Sequence, residues 1–585
     1  MNVLKLVVVS LITAALLAAC GPQVAAPPPA TQDPAPVQDA TSNDAVAGAD
    51  DELEFYELIF LRENDMSDLE PFLYRSFYAN YVRDRFNIGW QEIHFAGDFQ
   101  ERAMLELAGR SFPDIINPRS ALVLNAYAEA GALIELGELF QQHAPNVLSR
   151  HAERLPFWRS MSGMEDGGIY AMTFWQPDET GARAQPLLEW LIRSDILEQQ
   201  GFPEIRDEND LFEVLSRGLE ENPTTNGQPT VAFNHPLNSW GTNGLSTATF
   251  TWSMGRLCHR TLNRTMVFDF GPNQFIDLTM DHSYRNGLEF FNRMWREGLY
   301  DRDAITDDWD DFEIKMRQGR ILAAHFYVWP WHYDFNPALE VAGAPFRYVP
   351  FTFQLSSHRE QNEPKIYTRN AGEVWTSTAI TVNARYPERI AQLMDWQATD
   401  EGMILAGWGR EGVEFTIENG RRVPTAEYFD RLINDPGYSG ELHAPSDFGF
   451  FLGVDDNGQS FRISHDTYTI NRTLDPIVRH VWEQYGWSNS YEMYYHNVNF
   501  VFDDTHRVGL KTSIPTLTPE LHRNWEIIYT TTHDATMNLI TAESPEVFDQ
   551  VFQTMLDRRA ELGMGEILDL WNDEYFELRR IHGFD

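Results

Sequence analysis

Two short acidic runs are the clearest candidates for acid–base chemistry in this chain. The range 307–311 reads Asp-Asp-Trp-Asp-Asp, and 455–458 reads Asp-Asp-Asn-Gly. Two carboxylates that flank a glycosidic bond could hydrolyse it. Adjacent acids rarely face each other across a sugar, and acids at the start of a helix are stabilised by its dipole. We therefore predict a helix start at 307–311 and a turn between strands at 455–458.

The remaining motifs for enzyme chemistry are weak. The range 407–412 reads Gly-Trp-Gly-Arg-Glu-Gly and matches the dinucleotide fingerprint as text. That fingerprint requires a preceding strand, whereas the residues before 407 predict a helix, so we expect a loop after a helix. Gly-x-Ser-x-Gly, His-Glu-x-x-His and phosphate-loop patterns are missing from the sequence. We therefore expect no catalytic residues, no cofactor and no enzyme activity.

Aromatic side chains are abundant, with 17 Trp, 22 Tyr and 38 Phe. Flat rings pack against the C–H faces of sugars, while Asn, Glu and Arg can bond sugar hydroxyls. Residues just beyond strand ends face the crevice of an α/β lobe. On this basis we predict a set of ligand-binding residues near strand ends and in one Gly/Asn-rich loop: Asn117, Arg119, Trp175, Trp240, Trp329, Trp331, Glu373 and Trp375. For any single tryptophan, packing in the core is an equally good interpretation, and Trp295, Trp396 and Trp482 are predicted core residues because they lie within helices.

Charge and cysteine content exclude several partners. The chain has 45 basic and 87 acidic residues and a formal net charge of −42. Such a field repels nucleic acid and anionic lipid, so we expect no nucleic-acid partner. The two cysteines are Cys20 and Cys258. Cys258 lies beside His259, but one Cys-His pair does not make a zinc site, and we predict a buried thiol and no metal.

The N-terminus predicts export and lipidation. Lys5 precedes an apolar run from 6 to 17, and Leu17-Ala18-Ala19-Cys20 resembles a bacterial lipobox. The resemblance implies removal of a signal peptide at 1–19 and acylation of Cys20, with palmitate among the acyl chains. Two or more chains hold a protein at a membrane more firmly than one. Residues 20–51, rich in Ala, Pro, Gln and Asp, predict a disordered tether.

The body of the chain predicts alternating α and β units. Strand patterns occur at 53–61, 90–95, 112–117, 169–172, 187–193 and 321–327. Between and after them lie helical patterns at 74–86, 98–107, 121–131, 195–201, 208–220, 284–297 and 310–318, with further helices starting at Pro387 and at Ser544-Pro545. The sequence therefore belongs to the α/β class.

Several segments together resemble the extracellular solute-binding proteins of bacterial ABC importers, in particular the large oligosaccharide-binding lipoproteins of the alginate-binding type. Each match is degenerate, but the matches run in order over nearly the whole body. They are Pro113-Asp114-Ile115 with 127–133, Gly168-Ile169-Tyr170-Ala171-Met172, 191–197 with Gly201, 291–299, 312–324, and 387–402 with 409–413.

The resemblance implies a two-lobed type-II periplasmic-binding-protein fold with an interlobe cleft. Lobe one is expected at 52–180 plus 345–415, and lobe two at 181–344 plus 416–585. The implied function is that of a monomeric, lipid-anchored, extracytoplasmic receptor that closes on an oligosaccharide and delivers it to ABC permease transmembrane subunits. Two alternatives stay open at this point: a surface enzyme that degrades polysaccharide, and a binding protein for a peptide or another non-sugar solute.

One segment departs from the family pattern. Members often carry a calcium loop resembling Asp-Pro-Asp-Gly-Asn-Gly-Lys-Lys-Asp-Glu, whereas 222–229 here reads Asn-Pro-Thr-Thr-Asn-Gly-Gln-Pro. Calcium needs several carboxylate oxygens, and these acids are missing. We therefore expect a bare turn at 222–229.

Overall fold

The computed structural model describes residues 54–62, 76–95, 98–118, 121–161, 164, 166–172, 188–235, 254, 266–269, 274–327, 334–368, 377–434, 454–463, 466, 474–488, 490–503 and 517–582. Residues 1–53, with the predicted signal peptide, Cys20 and the tether, lie outside this part of the chain, as does Cys258.

The described strands form two four-stranded sheets and four two-stranded pairs. In chain order the strands are β1 Tyr56–Arg62, β2 Ile88–Glu92, β3 Ile115–Asn117, β4 Leu188–Arg193, β5 Thr224–Thr225, β6 Gln228–Pro229, β7 Val231–Asn234, β8 Met266–Asp269, β9 Gln274–Asp277, β10 Ile321–Tyr327, β11 Tyr348–Phe351, β12 Lys365–Thr368, β13 Ala379–Ile380, β14 Phe415–Glu418, β15 Arg421–Pro424 and β16 Phe500–Asp503.

The described helices connect and cover these strands. In chain order they are α1 Phe77–Phe86, α2 Phe99–Gly109, α3 Ala121–Glu129, α4 Leu136–His143, α5 Pro145–Arg150, α6 Leu155–Ser160, α7 Ser194–Gln199, α8 Glu208–Glu221, α9 His282–Arg296, α10 Trp309–Arg317, α11 Asn336–Val341, α12 Ser356–Glu360, α13 Pro387–Gln397, α14 Asp400–Trp408, α15 Ala426–Asn434, α16 Pro476–Tyr485, α17 Ser490–Asn497, α18 Pro519–Ile540, α19 Pro545–Glu561 and α20 Met564–His582. None of the described helices is both long and apolar enough to cross a membrane.

The first sheet has the order β13-β3-β1-β2. Strands β1, β2 and β3 are parallel, and β13 is antiparallel to β3. The connections through α1 and α2 fit the βαβ arrangement that parallel neighbours require. Both helices begin at side-chain caps, because Ser76 accepts a bond from the Ala79 amide and Asp98 accepts one from the Glu101 amide.

The second sheet has the order β11-β4-β10-β7. Strand β10 is parallel to β7 and antiparallel to β4, and β11 is antiparallel to β4. Helix α8 packs against β7 and β10. Its apolar stripe of Leu211, Val214 and Leu215 is buried, as its helical spacing predicts.

The buried apolar residues form two large clusters, one around each sheet. The first cluster contains residues between Tyr56 and Met172, residues between Ala379 and Met403, and Phe461. The second contains residues between Trp190 and Leu355 together with residues between Leu474 and Met555. In the described chain, passages from one cluster to the other fall between 172 and 188, between 368 and 377, and between 463 and 474.

This packing differs from the predicted lobe division in two places. Strand β11 pairs with β4 and packs in the second cluster, although 345–415 was assigned to lobe one. Phe461 packs in the first cluster, although 416–585 was assigned to lobe two. The first difference follows from the long-range pairing of β11 with β4, and the second accompanies long-range contacts such as the hydrogen bond from Trp408 Nε1 to the Ser460 carbonyl. Local sequence patterns encode neither.

Most predicted elements are confirmed within a few residues. Strand β10 has the predicted bounds, and α19 starts after Ser544, whose Oγ accepts a bond from the Val547 amide. The predicted strand at 169–172 is wrong in extent, since only one bridge, Met172 to Thr378, forms there. Trp396 and Trp482 are buried in the two clusters, and Trp295 packs against the second, as predicted.

Candidate functional site: the carboxyl edges of the two sheets

Three polar side chains meet at the carboxyl edge of the first sheet. Arg62 ends β1, Glu92 ends β2 and Asn117 ends β3. The register pairs Arg62 with Asn117 and Phe60 with Glu92, so these residues lie on adjacent parallel strands. Crevices for ligands in α/β sheets form at this edge.

Arg62 and Glu92 form a buried, widely spaced ion pair. The Arg62 Nε lies 3.8 Å from Glu92 Oε1, and both side chains are almost completely buried. The Arg62 guanidinium also lies 5.0 Å from the centroid of the Phe60 ring, within the range of a cation–π contact. An ion pair in a low-dielectric environment is strong only with close geometry, and both residues also take part in further interactions.

Asn117 connects the sheet to a chain segment that passes between the clusters. Its Nδ2 donates to Thr378 Oγ1 at 2.9 Å and to the Ser377 carbonyl at 3.5 Å. Thr378 in turn exchanges backbone hydrogen bonds with Met172. The segments that leave and re-enter the first cluster are therefore joined beside the edge that carries Asn117.

The corresponding edge of the second sheet carries a closely hydrogen-bonded charge network. Asn234, which ends β7, donates from Nδ2 to Asp301 Oδ2 at 2.7 Å and to Asp307 Oδ2 at 3.4 Å. The Lys315 ammonium lies 2.7 Å from Asp301 Oδ2 and 2.6 Å from Asp307 Oδ2. Burial by itself lowers the pKa of Lys315, but its hydrogen bonds to the two carboxylates outweigh burial and raise that pKa. We call these four residues the Lys315 network.

Two histidines beside this edge are held neutral. Burial lowers the pKa of His235 to about 4 and the pKa of His325 well below its ordinary value. His235 Nδ1 lies 2.9 Å from the His325 carbonyl, to which the neutral ring donates. The His325 ring stacks on Trp190 with centroids 4.8 Å apart. Beside the Lys315 network, the second edge therefore also contains buried rings, two of which are neutral imidazoles.

Of the eight predicted ligand-binding residues, Asn117 lies among the described residues, at the edge of the first sheet. The other seven lie outside the described part of the chain: Arg119, Trp175, Trp240, Trp329, Trp331, Glu373 and Trp375. In sequence, Trp329 follows the last residue of β10 by two positions, and Trp375 precedes Ser377 by two.

The motifs that suggested other chemistry have structural explanations. Asp308 caps α10 by accepting a bond from the Asp311 amide, which confirms the predicted helix start. Asp307 is held in the Lys315 network and is not placed as a free acid or base. The Asp455 carbonyl accepts a bond from the Gly458 amide beside a bridge between Val454 and Ser460, as a turn requires.

The glycines of 407–412 are likewise explained by the fold. Helix α14 precedes the motif, as predicted, and a Cβ at Gly407 would collide with the Phe461 carbonyl oxygen. Gly409 has a φ of +87°, a conformation that favours glycine. The predicted turn at 222–229 is a two-residue hairpin between β5 and β6, with positive φ at Asn226 and Gly227.

Sequence reasoning missed Arg62, Glu92, Asn234 and His235. The strand-end rule that selected Asn117 would also have selected Arg62, because the predicted first strand ended at Leu61. Glu92 was not selected because the predicted strand at 90–95 placed it in the interior of a strand. In the structure that strand ends at Glu92. Asn234 is the last residue of a short strand, β7, that the apolar pattern did not reveal, and His235 follows it.

No family model matches the chain. A curated relative, the fructooligosaccharide ABC transporter substrate-binding protein FusA of Streptococcus pneumoniae, is 24% identical over 237 residues, which are 39% of this chain and 42% of the relative. The chain thus matches about two fifths of the length of that relative.

The similarity to solved structures extends much further along the chain. The alginate-binding protein AlgQ2 without calcium ion is 16% identical, with a TM-score of 0.59 over 89% of this chain and 98% of that protein. The Streptococcus pneumoniae FusA protein in complex with kestose is 16% identical, with a TM-score of 0.61 over 90% of this chain and 99% of that protein. A human-milk-oligosaccharide ("HMO") binding solute-binding protein from Bifidobacterium longum infantis is 14% identical, with a TM-score of 0.58 over 89% and 99%.

These matches cover about nine tenths of this chain and nearly all of each matched protein. The chain therefore has the fold of the substrate-binding proteins of ABC transporters, a two-lobed α/β fold of the type-II periplasmic-binding-protein class with an interlobe cleft.

Proposed function

We propose that this protein is the substrate-binding lipoprotein of an ABC importer, which captures an oligosaccharide in its interlobe cleft and delivers it to a membrane permease. The single observation that supports this most strongly is the agreement of fold over about nine tenths of the chain with proteins that bind fructooligosaccharides, alginate and milk oligosaccharides. No bond is made or broken in this function, so the protein is not an enzyme.

The polar groups at the two carboxyl edges support a sugar-binding cleft. Arg62, Glu92 and Asn117 are buried polar groups directly under the edge of the first lobe, and the second edge covers buried rings and neutral imidazoles. Sugars combine hydroxyls with apolar C–H faces, so they need both kinds of surface. The ligand gains affinity for the closed form by contacting both lobes at once.

The proposed ligand site adds the predicted residues to these edges. Trp329 and Trp331 follow β10, whose last residues pair with the start of β4 at the second edge. In sequence, Glu373 and Trp375 precede Ser377 and Thr378, which both accept hydrogen bonds from Asn117. The proposed set also includes Arg119, Trp175 and Trp240. Each of them follows, in sequence, a strand or bridge at one of the two edges.

We further propose a lobe division that follows the packing. Lobe one consists of 54–172 with 377–463, and lobe two of 188–368 with 474–582. The N-terminal features support a signal peptide at 1–19, a lipid-modified Cys20 at the membrane and an extracytoplasmic location as further parts of the proposal. The proposed protein is a monomer. Replacing Cys20 by Ser should release the protein from the membrane fraction and abolish incorporation of labelled palmitate.

A binding assay with the soluble chain beginning at Gly21 tests the proposed function. The protein is incubated with a glycan panel, and calorimetry, tryptophan fluorescence and reducing-end release are followed together. Saturable binding of at least one oligosaccharide without product release supports the proposal. Product accumulation would favour the polysaccharide-degrading enzyme, and binding only to peptides would favour a receptor of another class.

A variant pair then tests the site. Trp329→Ala with Trp331→Ala should weaken sugar binding at least about tenfold, because stacked rings contribute about 1 kcal/mol or more each. Phe576→Ala is the matched control, since Phe576 is a half-exposed aromatic residue on α20. If the double tryptophan variant and the Phe576→Ala control bind sugar with equal affinity, the two tryptophans are not part of the ligand site. That result would not contradict the proposed transport function.

A further inference from the structure

Two histidines and two acids from separate segments of the second lobe converge on one spot. Asp281 caps α9, His282 is its first residue, His358 lies in α12, and Glu363 precedes β12. We call these four residues the histidine cluster. Glu363 lies 81 positions from His282, so the cluster exists only in the folded chain.

The distances within the histidine cluster are those of a ligand set. Glu363 Oε2 lies 3.1 Å from His282 Nε2 and 3.5 Å from His358 Nε2. One donor atom from each of Asp281, His282 and His358 lies within 4.8 Å of the other two. In a tetrahedral zinc site with bonds of about 2.0–2.1 Å, neighbouring ligand atoms are about 3.3 Å apart.

The surroundings of the histidine cluster orient the rings and leave an entry path. His358 is fully buried, and its Nδ1 lies 3.2 Å from Ser357 Oγ, an outer partner of the kind that orients metal-bound imidazoles. The side chains of His282 and Glu363 are 33% and 24% exposed, so an ion can reach them from solvent. The two rings now stack with centroids 3.9 Å apart, and rotation of the more exposed His282 would turn its nitrogen toward a shared ion.

We propose that the histidine cluster is a binding site for a divalent transition-metal ion of the zinc type. His282 and His358 provide neutral imidazole nitrogens, and Glu363 provides a carboxylate oxygen. Asp281 provides a second acid close to the site, and one or more waters fill the remaining positions. Two imidazoles with carboxylate suit zinc, nickel or copper better than calcium or magnesium, which prefer oxygen ligands.

A bound ion would add a direct bond between three segments that hydrogen bonds and the stacking of His282 on His358 already hold together. It would join the start of α9 to α12 and to the segment that leads into β12. Strand β12 is followed by the passage to the first cluster at 369–376. The ion would therefore stabilise the base of one connection between the lobes.

The test uses the soluble chain beginning at Gly21, stripped with a chelator and titrated with Zn²⁺ in a calorimeter and with Co²⁺ in a spectrophotometer. We expect one high-affinity ion per chain, an intense visible Co²⁺ band typical of four-coordinate sites, and a raised melting temperature.

Three variants decide whether the ion occupies the histidine cluster. His282→Gln and Glu363→Gln should each weaken Zn²⁺ binding at least tenfold and remove the Co²⁺ band. The control His522→Gln, an exposed histidine on α18, should bind like the parent. Absence of binding in the parent, or an unchanged Co²⁺ band in His282→Gln, overturns the proposal. Sugar binding by the same proteins is measured separately, so this result does not depend on the proposed transport function.

Discussion

The carboxyl edges of the two sheets compensate buried charge in different ways. At the second edge, Lys315 contacts Asp301 and Asp307 at 2.7 and 2.6 Å, and Asn234 donates to the same carboxylates. At the first edge, the ion pair of Arg62 and Glu92 is 3.8 Å long. Close pairing of buried charges is needed to offset their desolvation, so the second edge is the more tightly satisfied of the two.

Both edges therefore keep their charged groups inside the folded protein. The Lys315 network holds one ammonium close to two carboxylates. The Arg62 and Glu92 side chains are 1% and 2% exposed, and both residues take part in further interactions. The charged groups at both edges are accordingly parts of the fold that support the chain segments beyond the strands.

The largest expected effect comes from breaking the Lys315 network. Lys315→Met leaves Asp301 and Asp307 buried without their shared cation. Loss of one partner of a buried ion pair costs about 3–5 kcal/mol. We expect the free energy of unfolding, measured by urea denaturation at pH 7.5, to fall by that amount.

The matched control for this variant lies on the same helix. Arg317 pairs with Asp334 and Glu313, but its side chain is 44% exposed. Exposed ion pairs contribute about 0–1 kcal/mol, so Arg317→Met should have a small effect. Equal losses in the two variants would contradict the assignment of Lys315 as a buried structural cation.

Helices and strands that are determined by residues close to them in the chain could be predicted from the sequence. Strand β10 was predicted with its observed bounds because an apolar β run follows a helix end at Gly319. Helix α19 was predicted from its Ser544 cap and the proline after it, signals that lie within a few residues. The two-lobed fold was predicted from the family resemblance. Each matching segment is degenerate alone, but the segments follow one another along the chain in the order found in the family.

Features that depend on distant pairing could not be predicted in the same way. The strand expected at 169–172 shrinks to one bridge because Thr378, far along the chain, meets only Met172. Strand β11 belongs to the second lobe because it pairs with β4. No local pattern within 345–351 encodes that pairing. The histidine cluster shows the same limit, because His282, His358 and Glu363 meet only after the second lobe folds.

A smaller effect is expected from acid, through the neutral histidines of the second edge. The pKa of His235 is about 4 in the fold, below its ordinary value near 6.5, because burial disfavours the charged ring. The unfolded chain therefore binds the proton first as pH falls. This histidine makes the free energy of unfolding decrease from about pH 6.5 down to about pH 4, by about 3 kcal/mol in total.

Replacing His235 by Asn should keep a donor near the His325 carbonyl while removing the titration. The pH slope of stability between 6.5 and 4.5 should then be shallower by up to about 1.4 kcal/mol per pH unit. In the first lobe, burial first, and then Arg154 and Arg150, lower the pKa of His151 well below its ordinary value. His151→Asn should therefore flatten the slope as well, and an unchanged slope in His235→Asn would show that its ring is charged in the fold.

The smallest expected effect on stability, and the one that bears most directly on ligand binding, is at Asn117. Asn117→Ala removes the 2.9 Å hydrogen bond to Thr378, which should cost about 1–2 kcal/mol. Because that bond holds the segment leading from the predicted Glu373 and Trp375, sugar affinity should fall more than the loss of one hydrogen bond explains. Asn209→Ala, at an exposed asparagine bonded to Arg293, is the control for both measurements. A stability loss with unchanged sugar affinity would make Asn117 a purely structural residue.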